Sequence, residues 1–258
     1  MKKKIQDLKI VEKQFLNKNT FTLELLAPEK LPVIYPGQFA EVLIKNSKRT
    51  FLRRPLSVHR IDIKKNTLFF LIQVVGEGTK TLGCLEKGDT LNIIYPLGSY
   101  FSVDSESKVL LVGGGCGVAP LLFLGEYLSN KGITMDILIG GKSGSDIIEI
   151  EQYKKLGEVY STTEDGSMGE KGLVTDHSML SKTDFQYKRI YACGPEGMMK
   201  AVASYARKKG TDCEVSLENT MACGFGACLC CVVETTTGNR CVCTDGPVFN
   251  IKELKWQT

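Results

Sequence analysis

The sequence predicts three parts in a row: a small antiparallel β-barrel, a doubly wound α/β domain and a short cysteine-rich module. Three observations carry that expectation. Residues 1 to about 100 alternate or run apolar at strand length, with turn signals between the runs. From Lys108 onward, buried strands alternate with helical periods. Near the C-terminus the cysteines crowd together, six of the ten lying between Cys223 and Cys243. The expected boundaries are 1–103, 104–212 and 213–258. A chain of 258 residues is long enough for two or three small domains with cores of their own.

In the first part, TFTLELLA, QFAEVLIK, TLFFLIQVV and DTLNIIYP read as strands. Pro36-Gly37 and Lys87-Gly88-Asp89 punctuate them. Short strands at this spacing suit a closed barrel. In the second part, KVLLVGGG and ITMDILIGG are buried strands, and GVAPLLFLGEYLSNKG between them has a helical period. DIIEIEQYKKLG reads as a helix, EVYSTTEDG and KRIYACG as strands, and PEGMMKAVASYARKKG as a helix with Pro195 in its first turn. Such alternation predicts a parallel sheet.

Composition excludes several classes. The net charge of +4 is small and spread out, which argues against nucleic acid as a partner. No apolar run approaches ~20 residues, so no membrane span is expected. MKKKIQDLKI lacks an apolar region after its lysines and does not read as a signal peptide. Ten cysteines without a secretory signal point to metal or cluster binding in a reducing cytoplasm rather than a disulfide scaffold.

Cys223, Cys228 and Cys231 have the spacing C-x4-C-x2-C, and Cys243 follows on what reads as a returning hairpin strand. This is the plant-type spacing for a 2Fe–2S cluster, with a zinc site or unligated core cysteines as the alternatives. Gly224 and Gly226 permit the tight turns such a loop needs. Cys230 and Cys241 break the spacing and read as neighbours of the cluster. His59 and His177 have no ligand-spaced partners in sequence.

Four motifs suit phosphate-bearing ligands. Arg53-Arg54-Pro55-Leu56-Ser57 offers a fork of donors followed by a hydroxyl. Gly76-Glu77-Gly78-Thr79 opens a short helix and gains meaning beside that arginine pair, although taken alone a plain two-glycine turn is the favoured reading. Gly113-Gly114-Gly115-Cys116-Gly117 closes a strand and starts a helix, as does Cys193-Gly194-Pro195. Two such turns on one parallel sheet meet at its C-terminal edge, where doubly wound folds bind dinucleotides. Lys142 and Ser143 follow the second parallel strand, where a lysine suits a 2′-phosphate, and Asp165-Gly166-Ser167 is a loop that touches the cofactor or is simply a loop. No Ser/His/Asp or paired-carboxylate pattern occurs, so no catalytic acid–base residue is expected.

In this order the signals resemble the ferredoxin–NADP reductase family over roughly residues 5–210. In that family an Arg-x-Tyr-Ser motif binds flavin, a Gly-rich loop binds the nicotinamide dinucleotide, and a Cys-Gly-Pro turn lies beside the nicotinamide. Arg54, Ser57, Gly113 to Gly117 and Cys193 to Pro195 match; Leu56 departs, standing where most members place a tyrosine. The full length is similar to one branch, the electron-transfer subunits of dihydroorotate dehydrogenase B. Met221 to Cys231 and Cys243 to Phe249 carry that likeness. Two departures accompany it: Leu71-Ile72-Gln73 stands where relatives often have Tyr-Arg, and Thr220 stands where some have arginine.

The resemblance implies FAD held by Arg53 to Ser57, by Leu71, Ile72 and Gln73, and by Gly78 and Thr79. It implies NAD(H) at Gly113, Gly114, Gly115, Gly117, Cys193, Gly194 and Pro195, and a 2Fe–2S cluster on Cys223, Cys228, Cys231 and Cys243. The implied partner is an FMN-containing catalytic subunit that oxidises dihydroorotate in pyrimidine synthesis, in a heterotetramer of two of each chain. The small subunit of a ferredoxin–NADP transhydrogenase and the diaphorase module of a hydrogenase are the other oxidoreductase readings, and a flavin-free, zinc-binding regulator that kept the fold is the non-enzymatic one.

Overall fold

The computed structural model describes residues 3–45, 47, 49–103, 107–181 and 186–256. The chain divides into two compact units. One comprises 1–100, 218–233 and 240–247; the other comprises 101–217, 234–239 and 248–258. Residues 213–258, read above as one module, are thus shared between the two units.

The first unit holds six strands: β1 (Lys4–Phe15), β2 (Thr20–Leu26), β3 (Phe39–Val42), β4 (Arg54–Asp62), β5 (Thr67–Gln73) and β6 (Thr90–Leu97), with helix α1 (Glu77–Gly83) between β5 and β6. They close into a barrel in the order β1-β2-β5-β4-β3-β6, every recorded pair antiparallel. Leu8, Ile10, Phe21, Leu23, Leu25, Phe70 and Ile93 fill it, each fully buried. Alternation explains why these residues face inward: Phe21, Leu23 and Leu25 occupy every second place on β2. Closure leaves no open sheet edge, which is the advantage of a barrel for so small a set of strands.

The second unit starts with β7 (Val109–Gly114), α2 (Ala119–Asn130) and β8 (Met135–Gly141). It continues through α3 (Ile150–Tyr153), β9 (Glu158–Thr163), β10 (Glu170–Lys171), β11 (Arg189–Cys193), α4 (Glu196–Lys209) and β12 (Asp212–Ser216). A hairpin, β13 (Val232–Thr235) and β14 (Gly238–Cys241), precedes β15 (Val248–Asn250). The sheet runs β10-β9-β8-β7-β11-β12-β15, parallel except for β15. The chain leaves β7 toward β8 and later returns to β11 on its other side. The ends of β7 and β11 therefore form the switch point where open α/β sheets bind ligands.

One expected element is much shorter than its pattern. DIIEIEQYKKLG forms only the single turn of α3, because Ile147 and Ile148 are buried in non-helical backbone and Glu149 turns left-handed at φ 55°. Burial of two β-branched side chains outweighs the helical period of the charged residues between them.

Candidate functional site

At the switch point, two turns touch backbone to backbone. A Cβ on Gly117 would stand 2.4 Å from Gly194 Cα and 2.6 Å from Cys193 O, so only glycine allows this approach. Gly114 is packed the same way against Met198 and Pro195. A Cβ on Gly115 would meet nothing within 4 Å, which leaves its backbone face open. The fully buried Tyr153 donates from its hydroxyl to Val118 O at 2.7 Å and pins the end of this turn. The sequence reading did not single out Tyr153; a tyrosine inside an otherwise charged segment is the signal that marks it. Together, Gly113 to Gly117 and Cys193 to Pro195 form a cradle that backbone contact has already shaped.

The neighbouring turn after β8 already holds an anion. Asp146 Oδ2 accepts the N–H groups of Lys142 (3.0 Å) and Ser143 (3.1 Å). Gly144 N–H donates to Ser167 Oγ (2.8 Å), and Ser167 in turn donates to Asp165 from both its N–H and its hydroxyl. Those hydrogen bonds hold the Asp165 carboxyl below its ordinary range. Backbone donors that would suit a phosphate are therefore committed to the Asp146 carboxylate and the Ser167 hydroxyl, while the Lys142 side chain stands exposed.

In the barrel unit, the arginine pair divides its work. Arg53 donates to Glu41 O (3.2 Å), Asn92 O (3.1 Å) and Asn92 Oδ1 (2.5 Å), which ties it into the barrel wall. Arg54 lies against the α1 turn: its Nε would be 3.1 Å from a Cβ on Gly78, with Thr50 Cγ2 at 3.2 Å. Glycine there lets a guanidinium reach the turn. Thr79 Oγ1 accepts the N–H of Val75 (3.0 Å) and of Gly76 (3.2 Å) and so fixes the same turn. Pro55, Leu56 and Ser57 lie half-buried on β4, paired with Glu41, Ala40 and Phe39. Leu71 and Ile72 are buried in the barrel, whereas Gln73 is exposed at the end of β5.

The cysteine loop belongs to this same unit. Cys223 is half-buried, Cys228 exposed, and Cys231 and Cys243 buried. Burial alone would raise the Cys223 thiol, yet N–H groups of Phe225, Cys228 and Ala227 and the Cys228 thiol donate to it and bring it down to about 6. Burial pushes Cys243 up to about 12, helped by its hydrogen bond with Cys231. Its own N–H donates to Cys231 Sγ at 3.4 Å. The thiols thus lie as two pairs, and among the described residues no three or more such side chains stand close enough to hold a metal ion as they lie. A nest of N–H donors around a low-pKa sulfur is nonetheless the donor chemistry an anionic iron–sulfur centre requires. Cys241, buried, hydrogen-bonds with Cys231, and Cys230 is exposed.

Beneath the loop sits a residue the sequence reading passed over. Glu41 is fully buried, and neither of its carboxyl oxygens has a hydrogen-bond partner among the described residues. A Cβ on Gly224 would stand 2.5 Å from Glu41 Cγ, so the turn after Cys223, at φ +73°, lies flush on this carboxyl. Burial raises Glu41 to about 7, with Arg53 pulling down, Cys223 pushing up and Arg54 pulling down. A lone glutamate in the apolar run QFAEVLIK was the available signal.

A closed barrel with an arginine-lined turn and a doubly wound sheet with a glycine cradle define a nicotinamide-linked oxidoreductase module, here carrying a cysteine loop. Comparison with known proteins agrees. Residues 111–204 match the oxidoreductase NAD-binding domain, and residues 218–255 match the iron–sulfur cluster binding domain of dihydroorotate dehydrogenase B. The dihydroorotate dehydrogenase B (NAD(+)) electron transfer subunit of Fusobacterium nucleatum is 36% identical over 259 residues, covering 98% of this chain and 99% of that one. Its counterpart from Caldanaerobacter subterraneus is 41% identical over 226 residues, covering 85% and 87%. A chain of an NADH-dependent reduced ferredoxin–NADP oxidoreductase superposes with a TM-score of 0.87 at 29% identity, covering 96% of this chain and 90% of that one. The chain belongs to the family of dihydroorotate dehydrogenase B (NAD(+)) electron transfer subunits.

Proposed function

We propose that this chain passes electrons between a dihydroorotate-oxidising, FMN-containing catalytic subunit and NAD in pyrimidine biosynthesis. The observation that carries the reading is the cysteine loop. Its first thiol is already drawn toward the anion by backbone N–H groups, within a chain that matches the family end to end. When bound, FAD and a 2Fe–2S cluster supply the conversion between hydride and single-electron transfer. The residues divide the tasks. Arg54, with Gly78 and Thr79, takes the flavin phosphates; Pro55 to Ser57 on β4, Leu71 to Gln73 on β5 and Arg53 support the flavin from the barrel wall. Cys223, Cys228, Cys231 and Cys243 ligate iron, and Gly113 to Gly117 with Cys193 to Pro195 seat the nicotinamide dinucleotide. Functionally, segments 1–103, 104–212 and 213–258 serve flavin, nicotinamide and cluster.

Asp146 and Asp165 favour NAD over NADP, since a 2′-phosphate would meet their carboxylates. Phe225 and Leu229 flank the cysteines at 54% and 64% exposed, an uncharged face that suits docking of the catalytic subunit. No helix of the described residues is long and apolar enough to cross a membrane. We place the work in the cytoplasm, in an assembly of two chains of each kind. Co-expression with the dihydroorotate-oxidising subunit tests this: a complex of two plus two is expected by light scattering. A charge at Phe225 or Leu229 should weaken assembly while flavin stays bound; unaltered assembly of both variants overturns the docking face.

The likeness to the ferredoxin–NADP oxidoreductase chain supports a second reading, the small subunit of a transhydrogenase. Rapid-mixing reduction of the flavin separates the two. Faster reduction by NADH is expected, and a preference for NADPH favours the second reading.

A further inference from the structure

We propose that Cys241 donates a hydrogen bond from its thiol to the sulfur of Cys231 when that residue holds iron, and so raises the reduction potential of the cluster. The inference rests on the cluster reading above and adds to it a residue outside the ligand set. Cys241 breaks the ligand spacing, yet backbone pairing places it beside a ligand. Val242 N–H donates to Cys231 O (3.0 Å), so Cys231 lies opposite the middle of Cys241-Val242-Cys243. Cys243 N–H donates to Cys231 Sγ (3.4 Å), and the thiols of Cys241 and Cys243 both hydrogen-bond with Cys231. All three cysteines are buried.

The backbone of Cys241 is fixed by the turn that follows it. Its N–H donates to Asp245 Oδ2 (2.8 Å). Its carbonyl accepts the N–H groups of Thr244 (3.1 Å), Asp245 (2.8 Å) and Gly246 (3.4 Å). The residue that carries the thiol is therefore held at both of its peptide groups before any cluster binds.

Proton accounting decides which sulfur donates. A cysteine ligates metal as its thiolate. Cys231 and Cys243 both give up their protons on binding iron, so the hydrogen bond between those two thiols cannot persist. Cys241 is outside the ligand set and keeps its proton. Facing a sulfur that can only accept, it donates. Cys230 is exposed, where water competes for any such bond. An added electron puts more negative charge on the ligand sulfurs and strengthens every hydrogen bond they accept. The reduced form gains more than the oxidised form, and the potential rises.

The test is a redox titration of the full-length chain with flavin and cluster bound, in which electron paramagnetic resonance counts the reduced cluster. Cys241→Ala should hold about fivefold less reduced cluster than the wild type at the same potential, a drop of roughly 40 mV at ~59 mV per tenfold for one electron. Cys241→Ser keeps a donor and should recover most of that drop. Cys230→Ala should match the wild type. Cys241→Val fills the buried space and takes the place of Cys241→Ala in the comparison if the latter holds no cluster. An unchanged potential overturns the proposal and leaves the cluster reading intact. An equal drop from Cys241→Ser, or from Cys230→Ala, does the same. Loss of the cluster from all three Cys241 variants makes Cys241 a ligand and likewise overturns the proposal. A wild type without a 2Fe–2S cluster overturns both the proposal and the cluster reading.

Discussion

The glycine cradle of the sheet unit and the cysteine loop of the barrel unit reach readiness in different ways. The cradle is finished by backbone contact: Gly117 lies on Gly194, Gly114 on Pro195 and Met198, and Tyr153 bolts the turn. The cysteine loop is finished only in its electrostatics. Its N–H groups already lower Cys223, but its thiols stand as two pairs, and beneath lies the Glu41 carboxyl, which has no hydrogen-bond partner among the described residues. A dinucleotide needs a surface of fixed shape, which packing supplies by itself. A cluster supplies its own shape and needs sulfur anions with a loop free to close around it. Substitutions should therefore act sterically in the first region and through ligand chemistry in the second.

Gly117→Ala should have the largest effect. Its methyl group meets backbone at 2.4 Å, so the two turns must part, at a cost of about 1–3 kcal/mol in stability and the loss of measurable NADH binding by calorimetry. The cluster absorbance should be unchanged; its loss as well would erase the distinction between the regions. Cys228→Ser comes next: iron and sulfide content and visible absorbance should fall to background, while Cys230→Ser keeps both. Equal loss from the two variants would mean that the ligand set is wrong, and zinc or four irons per chain would remove the 2Fe–2S centre.

Glu41 sharpens the comparison through pH. Its folded value of about 7 lies above the ordinary 4.5, so the folded chain binds this proton more tightly than the unfolded one. That contribution to stability is complete below 4.5 and is lost as pH rises through about 7. In the cluster-free chain, the wild-type urea midpoint should drop between roughly pH 5 and pH 8 more than that of Glu41→Gln. Parallel curves for the two would show that the carboxyl is not strained by burial. The smallest effect belongs to Tyr153→Phe, which removes one buried hydrogen bond and should cost about 1 kcal/mol in thermal or chemical unfolding.

The two regions were legible in the sequence to the same depth. Strand alternation gave the barrel, and strand–helix alternation gave the sheet, because both periods follow from which face is buried. Gly117 and the Cys-Gly-Pro turn were legible because close backbone approach demands particular residue types at fixed spacing. The cysteine spacing was legible for the same reason. What stayed hidden depends on three-dimensional neighbours. Glu41 is separated from Gly224 by most of the chain, and no local pattern links them. Asp146 caps a turn that the sequence offered as the start of a helix, and the burial of Ile147 and Ile148 decided against that helix. Thr79, proposed at the phosphates, gives its hydroxyl to the turn itself, a use that spacing does not reveal.

The most direct measurement is anaerobic turnover with dihydroorotate as donor and NAD as acceptor, read at the absorbance of NADH. The co-purified pair of chains should reduce NAD. This chain alone should oxidise NADH with artificial acceptors and leave dihydroorotate untouched, and the pair carrying Cys228→Ser should fail to couple the two substrates. Dihydroorotate oxidation by this chain alone, or full coupling without Cys228, would contradict the account.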